Sequence, residues 1–150
     1  MSKKSSIFQF KITLQEIEPV IWRRIQISDK CTFWDLHVAI QNAMGWTDSH
    51  LHHFKVINPD NHEEQFMGIP DDDGFDDDNT LPGWEYLVKD YADHNHNMTY
   101  LYDFGDSWYH SIEFEDVWDA KNDTKYPICL DGERACPPED VGSIPGYYDF

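Results

Sequence analysis

YLYDFGDSWYHSIEFE, residues Tyr100–Glu115, is the stretch on which the reading of the fold turns. It holds Asp103-Phe104-Gly105, a triplet that binds magnesium in protein kinases. It also holds two aspartates three apart and His110 four residues after the second. A kinase needs a glycine-rich loop, a strand lysine and an HRD loop upstream, and none stands in this chain. The other reading is a hairpin. Met98–Phe104 and Trp108–Val117 are two strand-like runs, and Gly105-Asp106-Ser107 between them is turn chemistry. Trp108, His110, Ile112 and Phe114 then share one strand face, because strand side chains repeat every two residues.

Working outward, the same alternation recurs near the N-terminus. Phe8, Phe10, Ile12 and Leu14 fall on one face, with Gln9, Lys11 and Thr13 opposite. Glu18-Pro19 breaks that strand. Val20–Ile27 reads as its antiparallel neighbour, with Ile21, Ile25 and Ile27 on one face. Thr32 with Asp35 three residues later forms a capping-box variant. A helix is therefore expected to start there, carrying Phe33, Leu36, Ile40, Ala43 and Met44 on one face and stopping at Gly45. Leu51–Ile57 reads as a third strand. Trp84–Ala92 has helical spacing of Trp84, Leu87, Val88 and Tyr91. The Pro- and Gly-rich segment 126–150 is expected to be an ordered loop, with one short helical turn after Pro137-Pro138. The element order predicts an α+β domain: a mostly antiparallel sheet with helices packed on one face, as a single compact domain over residues 1–150.

Length, composition and charge limit the function classes. The chain has 150 residues, 40% hydrophobic and 15% aromatic, enough for one domain with a real core despite a mean hydropathy of −0.67. There is no apolar run of bilayer length and no secretory h-region, so the expected location is cytoplasmic, with no membrane partner. The net charge of −18, with 11 basic residues and no basic stripe, disfavours nucleic acid. The expected partner is a protein or a small molecule. Cys31, Cys129 and Cys136 are an odd set, read in a reducing compartment as free thiols or metal ligands rather than disulfides, with no complete zinc site in their spacing.

The acidic loop at about 70–80 contains DDDGFDDD, Asp71–Asp78. Aligned on Gly74 as a calcium loop, it puts Ile69 at the first ligand position and Thr80 at the last, so the pattern fails and a solvated loop is the better reading. His62-Glu63-Glu64-Gln65-Phe66 begins a zinc-protease motif and lacks its second histidine. The candidate pocket set is His50, His52, Asp103, Asp106 and His110, rimmed by Arg134, Glu139 and Asp140. Imidazoles with carboxylates can hold a divalent metal or move a proton. A histidine in an apolar row is more often a core residue with one hydrogen-bond partner, and an aspartate beside a hairpin more often caps backbone. No complete metal motif is present, and a divalent cation is left as an open alternative.

Four ordered stretches resemble one family. They are PVIWRRIQI (Pro19–Ile27), TFWDLHVAIQNAMGWTDSHLHHF (Thr32–Phe54), YLYDFGDSWYHSIEFE, and CLDGERACPPEDVGSIPGYYDF (Cys129–Phe150). Together they resemble the plasmid pRiA4b ORF-3-like family, whose members also carry the label of TnpR-like transposon passenger proteins. The resemblance implies an MM3350-like α+β fold and no particular reaction. A serine resolvase needs an active-site serine in an arginine-rich domain and a basic DNA-binding helix-turn-helix, and this acidic chain shows neither. Relatives are expected to continue past GYYDF with a further helical region, so ending at Phe150 would leave a surface uncovered. The resulting expectation is an uncharacterised plasmid- or transposon-associated binding or accessory module with no demonstrable catalytic set. The alternatives are a metal-dependent hydrolase using the His/Asp cluster and a protein-interaction partner in a mobile-element system.

Overall fold

Strands β1 (Ser6–Leu14) and β2 (Ile21–Ser28) pair antiparallel from Ile7 opposite Ser28 to Leu14 opposite Ile21. Their alternation buries Phe10, Ile12, Leu14, Ile21, Ile25 and Ile27, as the sequence pattern requires. The computed structural model describes residues 6–15, 21–46, 52–69, 80–93, 95–102, 108–119 and 126–133. The remaining strands are β3 (His52–Ile57), β4 (Glu64–Gly68), β5 (Leu81–Pro82), β6 (Met98–Tyr102), β7 (Trp108–Asp119) and β8 (Ile128–Glu133). All eight belong to one sheet in the order β5-β4-β3-β6-β7-β1-β2-β8. Every neighbouring pair is antiparallel except β4 and β5, so the sheet is mixed.

One α-helix, α1 (Phe33–Met44), lies on one face of this sheet. Its start is the expected capping box: Thr32 Oγ1 accepts from Asp35 N at 3.1 Å, and Asp35 Oδ2 accepts from Thr32 N at 3.0 Å. Its end is Gly45 at φ 79°, a left-handed conformation that glycine adopts without a Cβ penalty. Trp46 N–H then bonds back to Gln41 O at 2.9 Å, which folds Trp46 down onto the sheet. Phe33, Leu36, Ile40 and Met44 enter a core that includes Phe10, Phe54, Tyr100, Tyr102 and Trp108. Among the described residues no helix is long and apolar enough to cross a membrane.

Three expectations need correction. "Helices packed on one face" reduces to a single α-helix among the described residues. The stretch expected as a helix, Trp84–Ala92, forms two short 3-10 turns, Gly83–Glu85 and Val88–Asp90. The reason is competition for its backbone groups. Tyr86 O accepts from Phe33 N and Val88 N donates to Cys31 O, an antiparallel bridge to the start of α1. That bridge holds Tyr86 and Leu87 extended, at ψ 136° and 135°, so no helix can pass through them. Trp84 is left half exposed instead of buried. Lastly, the tail from Tyr126 contributes β8, an added strand beside β2, where a loop was expected. β4 and β5 were not anticipated either. The acidic stretch Asp71–Asp78, the turn Gly105–Ser107 and the segment after Glu133 lie outside the described residues.

Two bulges shape the outer part of the sheet. The register between β1 and β7 shifts at Gln9/Phe10, from Asp116 to Phe114, so Glu115 is the extra residue. There it accepts from Gln9 Nε2 (2.9 Å) and from Arg24 Nε (2.8 Å) and Nη2 (3.1 Å). The bidentate Arg24 pair holds its carboxyl below the usual range. Between β2 and β8 the register shifts at Arg24/Ile25, from Asp131 to Cys129, and the extra residue is Leu130.

Candidate functional site

The sheet face under α1 carries an unusual row of polar groups. His52 on β3, Tyr100 on β6, His110 on β7, and His37 and Gln41 on α1 are all buried. Strand alternation sends His52, Tyr100 and His110 to this face, and cross-strand pairing sets Tyr100 opposite His110. The two histidines flank the tyrosine, with ring centroids 5.9 Å (His52) and 5.1 Å (His110) from it.

The tyrosine hydroxyl is the hub. His37 Nδ1 lies 2.7 Å from Tyr100 Oη, and Gln41 Nε2 donates to it at 3.0 Å. The Tyr100 oxygen accepts from Gln41, and the tautomer of His37 sets whether the hydroxyl donates to Nδ1 or accepts from it. His52 lies flat on His37, centroids 3.5 Å apart and planes within 7°. Burial first, then the proximity of His37 and His53, lowers the His52 pKa from 6.5 to about 3. His110 Nδ1 bonds to Tyr100 O at 3.0 Å. Burial lowers its pKa to about 4, partly offset by the backbone carbonyls of Tyr100 and Trp108. Its Nε2 is buried with no hydrogen-bond partner among the described residues. Trp46 packs edge-on against that ring at 5.3 Å and stacks on Tyr102 at 4.9 Å.

Of the eight candidate residues read from the sequence, the structure describes two, His52 and His110. His50, Asp103, Asp106, Arg134, Glu139 and Asp140 lie outside the described residues. The two described rings do share a face, but they are engaged with Tyr100 and with His37. A metal binds imidazole in the ring plane through a nitrogen lone pair; face-to-face stacking presents ring faces to one another. Among the described residues no three His, Cys, Asp or Glu side chains are grouped to hold a metal. Sequence reading missed His37, Gln41 and Tyr100. Their signal was there: His37 and Gln41 stand four and eight residues after Phe33, in the buried stripe of the helix.

The opposite face of the sheet offers something different. Alternation along β1 puts Ile7 and Gln9 on this side, and pairing brings Trp118 opposite Ile7, Gln26 opposite Gln9, and Ile128 opposite Gln26. Ile7, Gln26, Trp118 and Ile128, with Asp119, Tyr126 and the bulged Leu130, line a cleft of about 610 Å³. Trp118 and Leu130 keep 44% and 48% of their surface in solvent, high for side chains of their size and apolarity. Hydrogen bonding orients the floor. The Glu115 carboxylate can only accept, so Gln9 presents its amide nitrogen to it and its oxygen to Gln26 Nε2 at 3.1 Å. Gln26 therefore has its amide oxygen as the acceptor remaining beside the cleft.

The chain resembles known proteins over nearly its whole length. The family model described as plasmid pRiA4b ORF-3-like protein matches residues 6–150. An uncharacterized protein, y4hQ, of Sinorhizobium fredii (strain NBRC 101917 / NGR234) is 35% identical over 146 residues, spanning 97% of this chain and 72% of that protein. The crystal structure of MM3350, a protein of unknown function from Methanosarcina mazei Go1, superposes with a TM-score of 0.89 at 35% identity, covering 98% of this chain and 80% of that one. These likenesses bring a fold and no reaction. With the fold, the ordered motifs and the family model in agreement, the chain belongs to the plasmid pRiA4b ORF-3-like family.

Proposed function

We propose that the chain is a binding module with no catalytic set of its own, and that it binds through the cleft on the sheet face opposite α1. The observation that carries this is the contrast between the two faces. Under α1 the described histidines are buried and engaged with aromatic rings and backbone. On the other face, Trp118 and Leu130 stand exposed around a cleft whose volume lies in the range of ligand pockets. Exposed apolar side chains grouped around a cleft mark interaction sites more often than single scattered ones. The net charge of −18 supports a protein or small-molecule partner over nucleic acid. A cytoplasmic setting, where Cys31 and Cys129 stay reduced, and a role as partner within a mobile-element system belong to the same reading.

Site-specific photo-crosslinking in cells tests it. A crosslinker at Trp118 or Leu130 is expected to trap a discrete adduct, and one at Tyr109, exposed elsewhere, is not. The competing hydrolase reading is tested alongside, by metal analysis of the purified chain with His52→Ala and His110→Ala. Stoichiometric metal lost in both variants, with no adduct at position 118, would overturn the binding-module reading.

A further inference from the structure

We propose that the cleft between Trp118 and Leu130 takes a basic, apolar peptide segment of a partner protein. This rests on the reading of the cleft as the binding surface and adds the chemistry of what enters. The walls are apolar and aromatic: Ile7, Trp118, Ile128 and Leu130. Such walls contribute through buried area, and tryptophan is among the residues enriched as interface anchors.

Two polar groups at the cleft have a definite sense. The Gln26 amide is oriented by the chain of bonds from Gln26 to Gln9 to Glu115, which uses its nitrogen and leaves its oxygen to accept. Asp119 brings a carboxylate, an acceptor only. Both call for donors on the guest. The field of the whole molecule agrees, since a chain of net charge −18 draws cations and repels anions. That field also argues against a second copy of this chain, because both copies would bring the same acidic surface.

A peptide fits better than a small cation because the apolar surface does not end inside the cleft. Leu130 is the extra residue of a bulge on β8, beside β2, and Trp118 stands on β7, on the far side of β1. Between them run β1 and β2, so the two anchoring strands lie about 14 Å apart, three times the usual strand spacing. Spanning two such anchors needs a segment with at least two apolar side chains; a Lys or Arg between or beside them meets Asp119 and the Gln26 oxygen.

Panning a random dodecapeptide library against the full chain tests the proposal, with fluorescence polarisation on the selected peptides. Selected sequences are expected to combine Lys or Arg with aromatic or aliphatic residues. They should bind roughly tenfold or more weakly to Trp118→Ala and about threefold more weakly to Asp119→Asn, both variants keeping the wild-type circular dichroism. Replacing their basic residues with Gln, or their apolar residues with Ser, should each abolish binding. Peptides that need Trp118 but carry no basic residues would overturn this inference and leave the cleft as the binding surface. Peptides indifferent to Trp118→Ala, or no selection at all, would overturn both. Concentration-dependent self-association abolished by Trp118→Ala would replace the peptide with a second copy.

Discussion

His37 and His52 lie face to face across the boundary between helix and sheet, 3.5 Å between ring centroids and 7° from parallel. Two imidazoles can stack so closely only while at least one is neutral. In the folded chain burial and the proximity of His37 and His53 keep His52 neutral down to about pH 3, and burial keeps His110 neutral down to about pH 4. The unfolded chain takes up these protons near the ordinary value of 6.5. Unfolding therefore gains protons as the pH falls below 6.5, and stability falls with it, by up to about 1.4 kcal/mol per pH unit for each ring. Urea midpoints measured from pH 7.5 to 5.5 should decline steadily below 6.5, and His52→Gln or His110→Gln should flatten the decline. A midpoint that stays level over that range would contradict the account.

The hydroxyl of Tyr100 joins helix to sheet through His37 and Gln41. Tyr100→Phe keeps the ring in the core and deletes only that oxygen. It should cost about 1–3 kcal/mol, the range for removing one partner from buried polar groups. The fold should persist. A double-mutant cycle with Gln41→Leu should show strong coupling, since the two side chains share one bond network. Additive effects in chemical denaturation would show that the hydroxyl is not the hub.

These relationships also show what the sequence could and could not reveal. β1, β2, β6, β7 and α1 announced themselves because each pairs a strong local pattern with the right stops: alternation for the strands, Thr32, Asp35 and Gly45 for the helix. β8 did not. Its six residues include Gly132 and follow Pro127, and its strand character comes from pairing with β2, far back along the chain. The segment around Tyr86 failed for the same kind of reason, its helical spacing overridden by bonds to Cys31 and Phe33. For the site, the apolar row placed His110 correctly in the core. The roles of His37 and Gln41 depended on Tyr100, 63 and 59 residues away, and no local pattern could join them.

Gly132 and Gly45 should respond to alanine for different reasons. At Gly132 a Cβ would meet Arg23 Cδ at 2.7 Å and Trp22 O at 2.8 Å. Arg23 passes there on its way to donate from Nε to Ala43 O at 2.9 Å, a cation at the C-terminal end of α1, where none stands in the last turn. Gly132→Ala is expected to cost about 1–3 kcal/mol by overpacking. Arg23→Ala in the same chain should relieve only part of it, because the Trp22 carbonyl remains. At Gly45 nothing lies within 4 Å, and the cost comes from φ 79° alone. Gly45→Ala should lose about 1 kcal/mol, with no relief from any neighbour. Thermal melts of the two single variants and the double variant separate the mechanisms.

Cys31 and Cys129 should differ sharply in reactivity. Cys31 is 7% exposed, its thiol directed to Thr32 O at 3.4 Å, and burial followed by the charge of Asp35 pushes its pKa up to about 12. The thiolate is the reactive form, so at pH 8 Cys31 presents almost none of it. Cys129, by contrast, is an exposed thiol on β8. Iodoacetamide at pH 8 followed by peptide mapping should label Cys129 within minutes and leave Cys31 unlabelled until urea unfolds the chain. The protection also reports on a specific contact. Cys31 O accepts from Val88 N at 3.0 Å, so the bridge that displaced the second helix also holds the backbone beside this thiol. Val88→Pro removes that donor, and Cys31 labelling should then rise in native buffer while Cys129 labelling stays unchanged. Equal labelling of the two cysteines in the wild type would mean that the segment before α1 opens in solution and that the bridge does not hold it.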